Sequence, residues 1–138
     1  MSAPFAGARR LARERAMELL YEAEAKGVAA TDVVAALPVE PLEFASEIVI
    51  GVTAHRDEVD GWISRQSRDW ALERMPAVDR ALLRMAVYEL LHRPDVPTAA
   101  VIAEAVALAQ QYSTDDSSRF VNGMLSAIAT EVRGADGS

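Results

Sequence analysis

The stretch Met75–His92, MPAVDRALLRMAVYELLH, constrains the fold more than any other part of the chain. Pro76 suits a first helical turn, where its missing N–H is not needed, and Pro94 cannot continue a helix with normal hydrogen bonding. Between these ends apolar residues cover nearly every side, and a helix of this kind is buried over most of its surface. The stretch is too short and too charged to span a membrane. It therefore predicts a central helix around which other helices pack.

Helical periodicity recurs along the rest of the chain, and no alternation typical of strands is evident. Gly27 is suited to end the first helix, and Thr98 and the cluster Ser113–Asp116 are suited to begin the last two. The predicted short helix over 69–74 has Trp70 facing inward. The helical segments are 8–25, 31–38, 41–68 (one long helix or two joined ones), 69–74, 75–92, 99–112 and 117–132. The sequence thus predicts an all-α fold of about seven helices.

Composition narrows the range of functions. The chain of 138 residues is long enough for one domain, and a hydrophobic fraction of 51% argues against disorder. Its net charge of −7 argues against an indiscriminate nucleic-acid binder, although a local basic patch remains compatible with it. Cysteine is absent, which excludes disulfides and thiolate metal sites. With no signal peptide and no run of transmembrane length, we expect a cytoplasmic protein without membrane association.

No catalytic motif is visible. The sequence has no Gly-rich phosphate loop, no HExxH and no G-x-S-x-G. Its two histidines, His55 and His92, are far apart in the sequence and lack a nearby ligand pattern. We therefore predict that the chain is not an enzyme and that it has no cofactor and no metal site.

Arg9, Arg10 and Arg13 form the first candidate binding site. Residues three and four positions apart share a helix face, and guanidinium groups on one face suit phosphate oxygens. The alternative is an ordinary solvated basic face that pairs with acids elsewhere. The arginines stand in the first half of the predicted helix 8–25, where positive charge opposes the helix dipole, and this favours an outside partner.

The second candidate site lies near the start of the last helix. A phenyl ring can stack on an unpaired base, an amide can hydrogen-bond a base edge, and a guanidinium can meet phosphate. An aspartate can accept from base amino groups, although its charge repels phosphate. The alternative is that the ring belongs to the core and that the acid complements the helix N-terminus. The residues are Asp116, Arg119, Phe120 and Asn122.

A third cluster suits a protein interface. Tyr21 combined with Asp79, Arg80 and Arg84 offers the aromatic and charged groups that such interfaces use. Alternatively, Arg84 and Glu89 form a satisfied pair on a mostly buried helix.

The chain resembles the NusB transcription antitermination factor family. The resemblance is carried by PAVDRALLRMAVYELLHRPDVP, by AVIAEAVALAQQYSTDDSSRFVNGMLSAI and by the arginine-rich ARRLARERAMELLYEAE. It covers nearly the whole chain, and the FVNGML block after an acidic-serine cap is its most specific part. The resemblance implies one domain over residues 1–138 made of two packed helical bundles, at about 8–68 and 69–133.

The resemblance also implies a function without catalysis. NusB-family proteins bind the boxA element of ribosomal RNA leader transcripts together with NusE, a small-subunit ribosomal protein. The complex joins RNA polymerase and other Nus factors, so that rRNA transcription stays processive. By position, the implied RNA contacts are Arg9, Arg10, Arg13, Asp116, Arg119, Phe120 and Asn122. The implied NusE contacts are Tyr21, Glu73 and Asp79.

This function requires the arginines and the start of the last helix to share one surface. About three arginine–phosphate contacts then predict a single-strand salt slope near −2 and modest affinity without a partner. The alternative function is a homodimeric protein-binding adaptor without intrinsic RNA specificity. A third possibility, an rRNA cytosine methyltransferase with a NusB-like domain, needs a Rossmann-type domain that the sequence does not show.

Overall fold

The computed structural model describes residues 3–68 and 70–134, so Asp69 of the predicted short helix lies outside the described residues. The described residues form seven α-helices and one 3-10 helix, with no strand. In order these are α1 (Ala3–Lys26), α2 (Ala30–Ala35), α3 (Glu43–Ala54), α4 (Arg56–Gln66), the 3-10 helix (Leu72–Arg74), α5 (Ala77–His92), α6 (Thr98–Tyr112) and α7 (Asp115–Arg133). The predicted all-α fold of about seven helices is confirmed.

The chain divides into two compact units, Met1–Ala54 and His55–Ser138. In the first unit α1 packs against α2 and α3. Small residues line the buried face of α1 and let its backbone approach α3 closely, where Ile48 and Val49 are fully buried. Gly27, at φ 67°, ends α1 as predicted, since Val28 N–H donates to Ala23 O at 3.0 Å in a Schellman arrangement.

In the second unit α5 packs against α4, α6 and α7. Every residue from Ala81 to Leu90 is buried, which confirms the central helix within this unit. The charged residues of α5 are satisfied internally. Arg84 donates to both carboxylate oxygens of Asp60 on α4, at 2.8 and 3.1 Å, and Arg80 donates to Leu72 O at 3.1 Å. These two arginines therefore bind groups within the second unit, where they stabilise it.

The segment 41–68 forms two helices, α3 and α4, with a break at His55. The family resemblance implies that the whole segment belongs to a bundle at about 8–68; in the structure, α4 packs against α5 and α7. Val59 and Ile63 of α4 are fully buried. An apolar stripe indicates that a helix is buried, but the stripe does not specify which helix it packs against.

Helix α1 begins five residues before the predicted start at Ala8. Arg9 consequently lies in the second turn rather than the first. The dipole effect fades within the first turn, so these arginines do not destabilise the helix in the way predicted from sequence. The helix dipole therefore gives no support for an outside partner. Among the described residues, each helix is too short or too polar to cross a lipid bilayer.

Candidate nucleic-acid interface

Phe120 lies at the edge of the exposed face of α7, where it is half-buried. Its ring meets the ring of Trp70 edge-on, with centroids 5.0 Å apart and an interplanar angle of 63°. Trp70 is 37% exposed rather than facing inward, so both rings reach solvent. The sequence prediction missed Trp70 as a site residue because a lone tryptophan beside a helix is most often core. Together the two residues form what we call the aromatic edge.

Asn122 is exposed on the same helix, but it does not lie beside Phe120. Two residues along an α-helix turn by about 200°, which leaves the two side chains about 160° apart. They stand at opposite margins of the exposed face of α7, with the exposed Gly123 between them. An added Cβ at Gly123 would meet nothing within 4 Å, so this face is open. A single base can therefore meet Phe120 or Asn122, but not both.

Asp116 and Arg119 occupy the exposed face between these margins. Arg119 Nη2 pairs with Asp116 Oδ1 one helical turn away, and the side chains of Arg119 and Asp116 are 74% and 90% exposed respectively. Such exposed pairs are worth little, because solvent screens them. An incoming phosphate can compete for Arg119, while Asp116 lies close enough to repel it.

The polar cap of α7 fixes the position of the aromatic edge. Thr114 Oγ1 accepts from Ser117 N at 3.0 Å, and Ser118 Oγ donates to Asp115 O at 2.8 Å. Ser113 Oγ, just before the cap, donates to Asp79 Oδ1 of α5 at 3.1 Å. Asp79 is only 1% exposed. Its carboxylate positions the loop between α6 and α7 and has almost no surface that a partner could touch.

The arginines of α1 do not form one solvated row. Arg9 and Arg10 are exposed, whereas Arg13 is only 5% exposed. Phe44 of α3 holds two of them: its ring centroid lies 4.6 Å from the Arg9 guanidinium carbon and 5.3 Å from that of Arg13. Contacts of this kind restrict the motion of a guanidinium. Arg9 and Arg13 thus share one aromatic ring, Arg9 at the surface and Arg13 buried.

The predicted NusE contacts are distributed over both units. Tyr21 of α1 is 48% exposed, and Glu73 is exposed on the 3-10 helix. An exposed tyrosine combines an apolar ring with a polar tip, which is typical of residues at protein interfaces. Both side chains are placed where a partner can reach them.

A sequence model of the NusB family matches residues 10–130. The chain belongs to the NusB family. It is 44% identical over 144 residues to the transcription antitermination protein NusB of Symbiobacterium thermophilum, with 94% of each chain covered. It is 50% identical over 132 residues to the protein of the same name from Beutenbergia cavernae, with 86% of each covered.

A solved structure of NusB with NusE and double-stranded RNA is similar to this chain, with a TM-score of 0.75 and 28% identity. The match covers 88% of this chain and 95% of that one. Members of the NusB family are transcription antitermination factors and not enzymes, in agreement with the prediction that this chain is not an enzyme.

Proposed function

We propose that this chain is an RNA-binding transcription antitermination factor. Together with NusE it binds boxA of rRNA leader transcripts in the cytoplasm, and through NusE and other Nus factors it keeps RNA polymerase processive. Family membership supports the general function, and the similar structure with NusE and double-stranded RNA supports the two partner classes. The observation that carries the proposal is the aromatic edge, because two touching rings that reach solvent, one of them on the capped helix α7, suit an unpaired base.

We propose that residues of each unit contact RNA. Arg9 and Arg10 meet phosphates and set the register of the strand, while Phe120 and Trp70 stack on bases. Asn122 contacts a different nucleotide, since it stands at the other margin of α7. Arg119 is available to a phosphate once it leaves Asp116. Arg13 acts through Phe44 by holding Arg9 in place. Tyr21 and Glu73 are the proposed NusE contacts.

A titration with labelled RNA tests the proposal. Fluorescence anisotropy measures binding of a boxA single strand, a scrambled strand and a duplex of the same sequence, each with and without NusE. We expect boxA to bind more tightly than the scrambled strand by about tenfold or more when NusE is present, a difference of about 1.4 kcal/mol. Equal affinity for boxA and the scrambled strand in both conditions excludes the proposal.

The competing function is a homodimeric adaptor without intrinsic RNA specificity. Light scattering during the same titration separates the two. A dimer that stays intact and unbound as RNA is added favours the adaptor, whereas a monomer, or a dimer that dissociates as RNA binds, favours the RNA-binding factor.

Replacing Phe120 by alanine is expected to weaken boxA binding by about 1–3 kcal/mol, because it removes one stacking surface. Phe120→Leu preserves apolar packing without a flat ring and is expected to lose a similar amount. The double variant with Trp70→Ala is expected to lose less than the sum of the single losses, since the two rings touch. Anisotropy titrations in the presence of NusE measure these losses.

Trp62→Ala is the matched control for this series. Trp62 is another half-buried aromatic residue of the second unit, and its ring contacts Arg65, with 4.4 Å between the guanidinium carbon and the ring centroid. Its replacement is expected to leave RNA affinity unchanged. Circular dichroism gives the folded fraction of each variant. If Phe120→Ala and Phe120→Leu both bind boxA normally per folded molecule, the ring contributes only to packing.

A further inference from the structure

His55, Glu58 and His92 come together in the second unit despite their separation in sequence. His55 immediately precedes α4, Glu58 lies in the first turn of α4, and His92 ends α5. Glu58 Oε1 is 2.7 Å from His92 Nε2 and 3.6 Å from His55 Nδ1. One carboxylate oxygen therefore faces both imidazole nitrogens. The sequence prediction of no metal site relied on spacing along the chain, which does not report this tertiary contact.

From this geometry we infer that His55, Glu58 and His92 bind a divalent transition-metal ion, with Zn²⁺ as the best match. Two imidazoles and one carboxylate are ligands that zinc uses in proteins. One potential ligand atom from each of the three residues lies within 4.8 Å of the others. Bonds of about 2.0–2.1 Å in a tetrahedral arrangement place ligand atoms about 3.4 Å apart, so rotation of the three side chains must adjust these separations.

The surroundings restrict the two imidazole rings. The rings of His55 and His92 stack with centroids 3.8 Å apart, and the buried Tyr88 extends the stack at 5.6 Å from His92. The stack places one nitrogen of each ring near the same carboxylate oxygen, and an ion that binds in the plane of both rings requires them to tilt out of the stack. The side chain of Glu58 is 46% exposed, which leaves the solvent side open for a water molecule as fourth ligand.

Pairing of the neighbouring arginines with acids weakens their repulsion of a bound cation, and the ligand chemistry favours zinc over magnesium or calcium. Arg56 and Arg84 both direct nitrogens to Asp60, at 3.1 and 2.8 Å. Arg93, next to His92, pairs with Asp95. Magnesium and calcium require mainly oxygen ligands, whereas this cluster offers two nitrogens and one carboxylate.

Bound zinc would connect the start of α4 to the end of α5. Zinc bound only to the folded chain raises the melting temperature in proportion to the logarithm of its concentration above the Kd. At a zinc concentration one hundred times the Kd, we expect a rise of about 5 °C or more. Magnesium at the same concentration is expected to leave the melting temperature unchanged.

The test uses the full chain without a histidine tag, because the sequence itself contains only two histidines. Calorimetric titration with Zn²⁺, in buffer basic enough to leave free imidazole neutral, is expected to show one saturable site. His55→Gln, His92→Gln and Glu58→Gln are each expected to weaken binding by about tenfold or more. The matched control is Asp57→Asn, which removes an exposed acid in the same helical turn and is expected to bind zinc normally.

Two results would overturn the inference. One is the absence of saturable zinc binding, or of any zinc-dependent rise in melting temperature, by the unsubstituted chain. The other is zinc binding with unchanged affinity in each of the three single variants, which would place the ion elsewhere. Circular dichroism confirms that each variant is folded before it is titrated. The cobalt-substituted protein provides an independent readout, since tetrahedral Co²⁺ with two nitrogen ligands absorbs visible light differently from the hydrated ion.

Discussion

Alanine at Leu82 and alanine at Leu83 are each expected to lower the free energy of unfolding by about 3 kcal/mol. Both side chains are almost completely buried, at 1% and 0% exposure, although they project about 100° apart around α5. On a helix with one buried face, replacing either of two adjacent leucines by alanine would seldom lower the free energy of unfolding by equally large amounts. The near-equal losses follow from the position of α5, which packs against α4, α6 and α7.

The matched control is Leu91→Ala, the same substitution at a half-buried position of the same helix. It is expected to cost roughly half as much or less, because less apolar surface returns to water. Urea unfolding followed by circular dichroism and by tryptophan fluorescence measures all three variants. The prediction fails if Leu82→Ala or Leu83→Ala costs no more than Leu91→Ala.

Local chemistry made much of the fold predictable from sequence. Gly27, the proline before α5 and the Ser/Thr cluster before α7 each act within a few residues, so their effects on helix ends can be read directly. The helices against which α4 packs could not be predicted in this way. Its buried valine and isoleucine fit any apolar neighbour, and the Asp60–Arg84 pair that joins it to α5 spans 24 positions.

The candidate site was predictable to the extent that it is local. The sequence of the last helix predicted both Phe120 and Asn122 as site residues. Helix geometry then places them at opposite margins of the exposed face of α7. The predicted arginine row included Arg13, which is buried near Phe44. Trp70 and the His55–His92 stack depend on contacts between distant segments. Side-chain types indicate which chemistry is available, and tertiary packing decides which groups meet.

Arg133, at the end of α7, is expected to be the most important polar residue for the stability of the second unit. Its guanidinium donates to four backbone carbonyls, those of Glu89, Leu90, Arg93 and Val96, at 2.7–3.0 Å. Three of these belong to the last turn of α5 or to the residue after it; Glu89 O and Arg93 O also accept backbone N–H groups, at 2.9 and 3.0 Å. Arg133→Ala is expected to lower the free energy of unfolding by about 3 kcal/mol, because several acceptors lose a charged donor together.

Arg133→Lys distinguishes charge from geometry. A lysine retains the positive charge at the end of α5, but its single ammonium cannot replace a planar fork that uses three nitrogens, so we expect it to recover less than about half of the loss. Arg119→Ala is the control, because it removes an arginine from the exposed face of the same helix and is expected to cost about 0.5 kcal/mol or less. Urea unfolding measures the three variants. An Arg133→Ala loss as small as that of Arg119→Ala would mean that water satisfies the end of α5 equally well, and α7 would then be held by its apolar face alone.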